Sequence, residues 1–400
     1  MQLNKFCLAG LLALGTTQVS QAHDNTPQPT AENPFLFMGG VGLYSLNASL
    51  PYPAARLPGI LESGSARADE RRSGMDYLEA GVVARLGEGV FGKLKVARHG
   101  GIAPVNEIDE VWLSADHPVG AAALQAKAGR QLVPMGLENM KHFHTRPFGI
   151  APLALRAAIN DMWRADGLQV NSEWGAYSVG AGVWSNSAFP GAPSSGINLA
   201  TLRAGWQNPS VQLEAGYARA SASAGRPLIT TGVAGHTHAI PSCTAVTASR
   251  VCMVGNVDLL TLAGKWSIND AWTVSGEWWE KRDSGRLDSL LGTPDYVGKF
   301  NGGWIDVGWK PHAAWEIIAR SERLIGTHTL VGANAALIAT QAGIDNSTRP
   351  LTSNGLLLRW QPWAGHLVAL EYHRESVLPQ ANTSTLLRYQ YSFATSPARP

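Results

Sequence analysis

The sequence has few charged residues and no long hydrophobic run. Asp, Glu, Lys and Arg make up only 16% of its 400 residues, and the formal net charge is +2. A balance so close to neutral argues against a nucleic-acid-binding protein, which needs a basic surface. No stretch reaches the about 18 to 20 apolar residues that a transmembrane helix requires, since residues 327–344 are interrupted by His328, Asn334 and Gln341. Helical membrane insertion is therefore not expected.

The first 22 residues have the pattern of a secretory signal peptide. Lys5 is their only charge, an apolar run extends from Phe6 to Gly15, and small residues precede Ala22. We predict that residues 1–22 are removed after Ala22. Export would leave a formal net charge of +1, because Lys5 leaves with the signal.

Cysteine is also scarce, with three residues in the whole chain. Only Cys243 and Cys252 would remain after cleavage, and an exported protein reaches an oxidising compartment. We therefore predict a disulfide between them that cross-links a loop, rather than a catalytic or metal-binding role for either thiol.

Alternation of apolar and polar residues dominates the rest of the chain. In VFGKLKVARHG, for example, Leu94 and Val96 alternate with Lys93 and Lys95. This period of two is typical of strands with one apolar face and one polar face. The pattern predicts sixteen strands, at residues 35–49, 75–87, 89–99, 105–116, 121–132, 166–174, 176–186, 197–207, 210–220, 257–268, 271–282, 301–310, 314–324, 352–361, 364–375 and 384–393.

The connections between these strands alternate between tight turns and long loops. Tight turns at one end and long loops at the other are typical of an outer-membrane β-barrel. The fold class predicted is thus all-β, a transmembrane antiparallel up-and-down β-barrel of sixteen strands. The predicted parts of the chain are the signal peptide 1–22, a short periplasmic N-terminal segment 23–34, the barrel 35–393 and a periplasmic tail 394–400.

Tryptophan supports the same interpretation independently of the turns. Seven of the fourteen tryptophans flank the tight turns, as in an aromatic girdle at a membrane interface: Trp206, Trp266, Trp272, Trp309, Trp315, Trp360 and Trp363. The alternative is a soluble β-sandwich or propeller. The number of segments, the two classes of loop and the absence of a blade-length repeat argue against it.

The polar face of such a barrel would line the lumen and carries charges of both signs, with slightly more basic ones. The residues that we predict to line the lumen are Lys93, Lys95, Lys127, Arg203, Arg359, Arg388, Glu110 and Glu277.

The third long connection, residues 133–165, is the best candidate to narrow the lumen. Its APLALRAAIND stretch predicts a short helix that starts near a proline. Folded inward, the connection would place basic side chains at the constriction and favour anionic solutes. The predicted constriction residues are Lys141, His142, His144, Arg146 and Arg156.

Two histidine pairs suggest an alternative role. His142 with His144, and His236 with His238, are spaced two apart and could each hold a zinc or copper ion in an extended segment. Polar loop residues are the simpler interpretation of both pairs, because no further ligand stands at matching spacing. No Gly-x-Ser-x-Gly or HExxH motif is present, so an enzyme is not expected, although Asp and His from separate strands could form a site without a local motif.

One stretch resembles a known family. The sequences NEIDEVWLSAD (106–116) and AKAGRQLVPMGLENM (126–140) resemble the phosphate-selective porin O and P type, with a match over roughly residues 60–175. That resemblance implies a sixteen-stranded, usually trimeric barrel that passes small anionic or general solutes through a pore narrowed by its third loop. The arginine and lysine ladder of a dedicated phosphate channel is not evident here, so phosphate specificity is not predicted.

The sequence thus predicts a porin of a Gram-negative outer membrane that lets small hydrophilic solutes diffuse passively, with a weak preference for anions and no cofactor. The alternative is a metal-binding or metal-uptake protein. The expected partners are membrane lipid and lipopolysaccharide, small solutes, a homotrimer and the barrel-assembly machinery. That machinery would read the aromatic closing strand, which carries Tyr389, Tyr391 and Phe393.

Overall fold

The protein forms a single closed β-sheet. A computed structural model describes residues 29–48, 73–99, 105–187, 189–192, 196–227, 243, 251–342, 344, 350–376 and 381–395. Neighbouring strands pair antiparallel in chain order, and the first strand pairs with both the second and the last, so the sheet has no free edge. Closure pairs all the strand edges, as a lipid environment demands.

Sixteen strands form the wall, and a seventeenth, the two-residue β10, pairs only with the start of β11. The predicted sixteen-stranded antiparallel barrel is therefore confirmed. The strands are β1 Phe35–Ala48, β2 Ser73–Gly87, β3 Val90–His99, β4 Val105–Val119, β5 Ala122–Leu132, β6 Arg164–Trp174, β7 Tyr177–Ser185, β8 Leu199–Gln207, β9 Val211–Ser221, β10 Arg226–Pro227, β11 Cys252–Ser267, β12 Trp272–Asp288, β13 Asp295–His312, β14 Trp315–Val331, β15 Leu351–Trp360, β16 His366–Ser376 and β17 Asn382–Thr395.

The two faces of the wall differ in the way that the alternation predicts. Leu94, Leu262 and Ile305 are exposed on the outside, whereas their neighbours Lys93 and Asp306 are buried on the inside. Apolar side chains thus face the surroundings of the barrel and polar ones face its interior, the reverse of a soluble sandwich.

Strands β12, β13 and β14 continue well beyond their predicted ends at the long-loop side. Their outward side chains become polar there, with Arg282 and Lys299 exposed. The apolar alternation therefore stops, while the backbone pairing of Arg282 with Lys299 continues. Alternation in the sequence therefore marks only the part of each strand whose outer side chains are apolar, and it does not mark the full hydrogen-bonded length of the strand.

Exposed tryptophans gather at the tight-turn end of the barrel. Trp272 and Trp309 lie opposite each other on β12 and β13 and stack with ring centroids 5.9 Å apart. Trp315 and Trp360 do the same on β14 and β15 at 5.5 Å. Such indole rings are suited to the level of lipid headgroups.

The described residues include three short helical elements: a 3-10 turn at Phe143–Thr145, α1 at Leu153–Ile159 and α2 at Ala335–Gln341. The predicted helix in residues 151–161 is confirmed by α1, which follows Pro152 and ends at Asn160 in the left-handed conformation. None of the helices in the described part of the chain is long and apolar enough to cross a membrane.

Helix α1 belongs to an apolar cluster inside the barrel. Leu153 and Ile159 of the helix and Trp163 after it are fully buried together with Trp184 and Trp279 of the wall. Burial of each such side chain contributes about 2 to 3 kcal/mol. The connection between β5 and β6, residues 133–163, is thus held against the wall by apolar packing as well as by polar contacts.

A charge placed on the outer face tests which part of the wall meets lipid. Ile305, 59% exposed, lies near the middle of β13, and Val297, 38% exposed, lies on the same strand beyond Lys299. We expect Ile305→Arg to destabilise the barrel folded in lipid vesicles by about 2 to 4 kcal/mol. We expect Val297→Arg to destabilise it by only about 0 to 1 kcal/mol. Denaturant titration in vesicles measures both, and equal costs would contradict the lipid-facing assignment.

Candidate functional site: the 133–163 segment and the inner face

The 133–163 segment is held to the wall largely by glutamates. The backbone N–H of Glu138 donates to Glu277 of β12 at 2.5 Å, and that of Leu153 donates to Glu322 of β14 at 2.7 Å. Two strands further along the wall, the N–H of Gly149 donates to both carboxylate oxygens of Glu371 on β16, at 2.9 and 3.1 Å. Wall carboxylates therefore satisfy backbone donors that a loop would otherwise present to water.

Basic and amide side chains of the wall hold the carbonyl groups of the same segment. Arg388 and Gln390 on β17 donate to the carbonyl oxygens of Pro147 and His144, at 2.6 and 2.9 Å. Lys281 on β12 donates to the carbonyl of Ala157 at 3.3 Å. The segment thus contacts the wall along the run of neighbouring strands from β12 to β17.

Four of the five predicted constriction residues are buried. Arg146 lies 2.5 Å from Asp161 within the segment, and Arg156 pairs with Glu375 of β16. Only Lys141 is accessible: its side chain is 39% exposed, although its ammonium lies 2.9 Å from Glu138. Most of the positive charge that the sequence offers in this segment is therefore already matched by carboxylates.

The two remaining constriction residues, His142 and His144, form one buried group with the wall. Their Nδ1 atoms are 2.9 Å apart. The Nε2 atom of His142 lies 2.8 Å from Asp109 Oδ2, and that of His144 lies 3.1 Å from Glu79 Oε1. Burial lowers the pKa of both imidazoles, since it disfavours the charged form more strongly than the carboxylates favour it.

Asp109 was not among the residues expected on the inner face, because strict alternation assigns Glu110 there. A β-bulge on β4 leaves Asp109 between the paired residues Ile108 and Glu110, opposite Lys95 and Val96 of β3. Both acidic side chains are consequently buried. A bulge adds one residue to a strand and re-aims its side chains, and nothing in the local sequence pattern marked it.

The residues predicted to line the lumen all lie on the inner face, and most are buried in pairs. Lys93 contacts Glu110 at 2.9 Å, and Lys95 contacts Glu79 at 2.6 Å. Arg388 contacts Glu371 at 2.6 Å.

Other predicted lumen residues also use neutral or aromatic partners, although Arg203 lies 3.7 Å from Glu214 as well. Arg203 donates to Asn171 Oδ1 at 3.0 Å. Glu277 accepts from the indole of Trp279 at 3.0 Å, and the ammonium of Lys127 lies 4.0 Å from the ring centroid of Trp112.

Accessible charges on the inner face occur near the tight-turn end, and several are lysines. Lys127 is half-buried, while Lys265 and Lys310 are exposed. Lys141 of the segment is near enough for its charge to interact with that of Lys265. Arg359, also half-buried, pairs with Glu316 at 2.7 Å.

Two groups of side chains have the composition of a metal site. Ligand atoms of Glu79, His142 and His144 lie within 4.8 Å of one another, as do those of a second group, His99, Glu107 and Asp109.

In the second group, Arg164 already occupies both carboxylates, at 2.8 Å from Glu107 and 2.5 Å from Asp109. The first group offers two imidazoles, although its carboxylate, Glu79, already contacts Lys95 at 2.6 Å.

A disulfide joins Cys243 to Cys252 at the start of β11. His236 and His238, the other predicted histidine pair, lie outside the described residues, as do the predicted signal peptide 1–22 and the last five residues of the tail.

The acid stability of the barrel tests the anchoring of the segment. Burial raises the pKa of Glu138, but Lys141, Arg320 and Arg146 overcome this effect and lower it to about 2. A carboxyl with a depressed pKa stabilises the native state above its unfolded pKa of about 4.3, and this stabilisation is lost as the pH falls toward 2.

We therefore expect Glu138→Gln to lower the free energy of unfolding at pH 7 by up to about 3 kcal/mol and to flatten its pH dependence between about 4.3 and 2. Denaturant unfolding in detergent at several pH values measures the slope. Glu88→Gln, in the exposed β2–β3 turn, is the matched control, and an unchanged slope in Glu138→Gln would refute the anchoring role.

Comparisons with known proteins agree on the fold. No family model and no curated protein matches the sequence. Among solved structures, the outer membrane channel DcaP of Acinetobacter baumannii superposes with a TM-score of 0.57 at 9% identity, covering 91% of this chain and 99% of that one.

An anion-selective porin from Comamonas acidovorans gives a TM-score of 0.51 at 12% identity, covering 90% of this chain and 100% of the porin. A trimer form of OmpT, an outer membrane protein of Vibrio cholerae, gives 0.51 at 12% identity, covering 90% and 99%. The chain therefore has the fold of outer-membrane porins and channels.

Proposed function

We propose that this protein is a porin of a Gram-negative outer membrane through which small hydrophilic solutes diffuse passively. The observation that carries the proposal is the attachment of the 133–163 segment to the inner face of a sixteen-stranded wall, through Glu277, Glu322 and Glu371. A barrel of this size leaves an aqueous channel unless something fills it. The segment narrows that channel.

We further propose a weak preference for anions. Selectivity depends on which charges remain accessible and not on how many the sequence contains. Three wall glutamates, Glu277, Glu322 and Glu371, accept backbone N–H groups of the segment. The side chains of Lys127, Lys141, Lys265 and Lys310 remain accessible, although Lys310 lies 3.7 Å from Glu316. Field lines in a narrow passage concentrate on such charges and raise the local concentration of anions. Kinship with the phosphate-selective type rests on the resemblance over roughly residues 60–175, most specifically 106–116 and 126–140, and is likewise a proposal.

The proposed partners follow from the outer surface and from the neighbours. Arg219, Arg282 and Lys299 are exposed beyond the apolar band, where they suit the phosphates of lipopolysaccharide. The trimer form among the neighbours supports a homotrimer, and the aromatic strand β17 supports recognition by the barrel-assembly machinery. We propose neither a cofactor nor an enzymatic activity.

Recording from single channels in planar bilayers tests the proposal. We expect stepwise conductance, with a reversal potential in a salt gradient that shows anions carrying most of the current. Reversing the charge of the exposed lysines, Lys265→Glu with Lys310→Glu, should lower the anion-to-cation permeability ratio several-fold, because both lie at the same mouth of the passage.

Arg282→Glu with Lys299→Glu is the matched control, since this pair makes the same charge change on the outer face and should leave the ratio unaltered. Protein that inserts without stepwise conductance would overturn the porin proposal. A current carried mostly by cations in the native protein would overturn only the anion preference.

Zinc or copper uptake is the second candidate function, and the approach of His142, His144 and Glu79 favours it. In the same recordings, a zinc or copper gradient should then drive a current that is lost in His142→Ala. A reversal potential insensitive to the metal gradient would exclude uptake.

A further inference from the structure

The 3-10 turn at Phe143–Thr145 brings two imidazoles together against the wall. Nδ1 of His142 and Nδ1 of His144 are 2.9 Å apart. The opposite nitrogen of each ring faces a carboxylate: Asp109 Oδ2 at 2.8 Å from His142 Nε2, and Glu79 Oε1 at 3.1 Å from His144 Nε2. Both histidines belong to the segment and both carboxylates belong to the wall.

One pair of tautomers suits a bound cation. A neutral imidazole carries a single N–H. When Nε2 holds that proton on both rings, beside Asp109 and Glu79, the two Nδ1 atoms direct lone pairs at each other across 2.9 Å, and a cation coordinated by both nitrogens relieves their repulsion.

Charged groups of both signs surround the two rings. Glu79, Glu107 and Asp109 supply three negative charges, and Lys95 and Arg164 supply two positive ones. His99 also contacts Glu107 at 2.8 Å and Asp109 at 3.2 Å, so the carboxylates beside the imidazoles are themselves held in place by other side chains.

We propose that His142 and His144 bind a divalent transition-metal ion, such as Zn²⁺ or Cu²⁺, through their Nδ1 atoms. Asp109 and Glu79 orient the two rings from their Nε2 sides. A histidine that binds a metal usually donates its other N–H to a carboxylate. Nitrogen ligands favour zinc, copper and nickel over magnesium or calcium.

The bound ion would pin the segment to β2 and β4. The ligands lie on the segment, whereas the residues that orient them, Glu79 and Asp109, lie on the wall. Metal binding therefore stabilises the attached position of the segment. This inference does not rest on the proposed channel activity.

Isothermal titration of the purified full-length barrel in detergent, stripped with chelator, tests the proposal. The titrant is Zn²⁺ alone, and all variants carry His236→Ala and His238→Ala to remove the second histidine pair. We expect about one equivalent bound, loss of binding in His142→Ala and in His144→Ala, and affinity weakened about 10- to 100-fold in Asp109→Asn and Glu79→Gln.

His366→Ala, a histidine paired with Tyr389 away from this group, is the control and should bind normally. Electron paramagnetic resonance of the Cu²⁺-loaded barrel should show two imidazole nitrogens. Heat-modifiable mobility on gels verifies that each variant is folded. The proposal would be overturned by a folded barrel that binds no zinc, or by zinc binding that survives both His142→Ala and His144→Ala. A proton shared between the two Nδ1 atoms would then explain why these atoms lie so close together.

Discussion

Closure of the backbone ladder is the constraint on which the rest of the structure depends. Unpaired N–H and C=O groups cannot be tolerated in lipid, so β1 must pair with β17 as well as with β2. Once the sheet is closed, side chains have only two directions in which to point. Apolar residues are forced outward and polar ones inward, and the interior becomes the place where charge must be accommodated.

Contacts with the 133–163 segment satisfy several of the charged side chains on the inner face of the wall. Carboxylates of the wall accept its backbone N–H groups, and Arg388 and Gln390 donate to its carbonyl oxygens. Arg156 matches Glu375. Buried ion pairs add little net stability of their own, but removal of one partner leaves an uncompensated charge. The polar contacts therefore fix where the segment lies, while the cluster around Trp163 and Trp279 provides apolar stabilisation.

In the proposed channel, a solute meets only the charges that this internal pairing leaves accessible. Counting basic residues in the sequence of the segment overestimates the field in the passage, because Arg146 and Arg156 face carboxylates. Lysines near the tight turns, such as Lys265, remain exposed. Selectivity in such a barrel depends on which residues are left over, which is a property of the packed structure.

The sequence by itself determined the closed sixteen-stranded wall, because a period of two with alternating loop lengths has few other solutions. It also located helix α1. The tertiary structure alone decided the length of β12 to β14, the bulge that turns Asp109 inward and the meeting of His142 with Glu79. Residues far apart in the chain meet there only after the barrel has closed, and no local pattern records which of them then become partners.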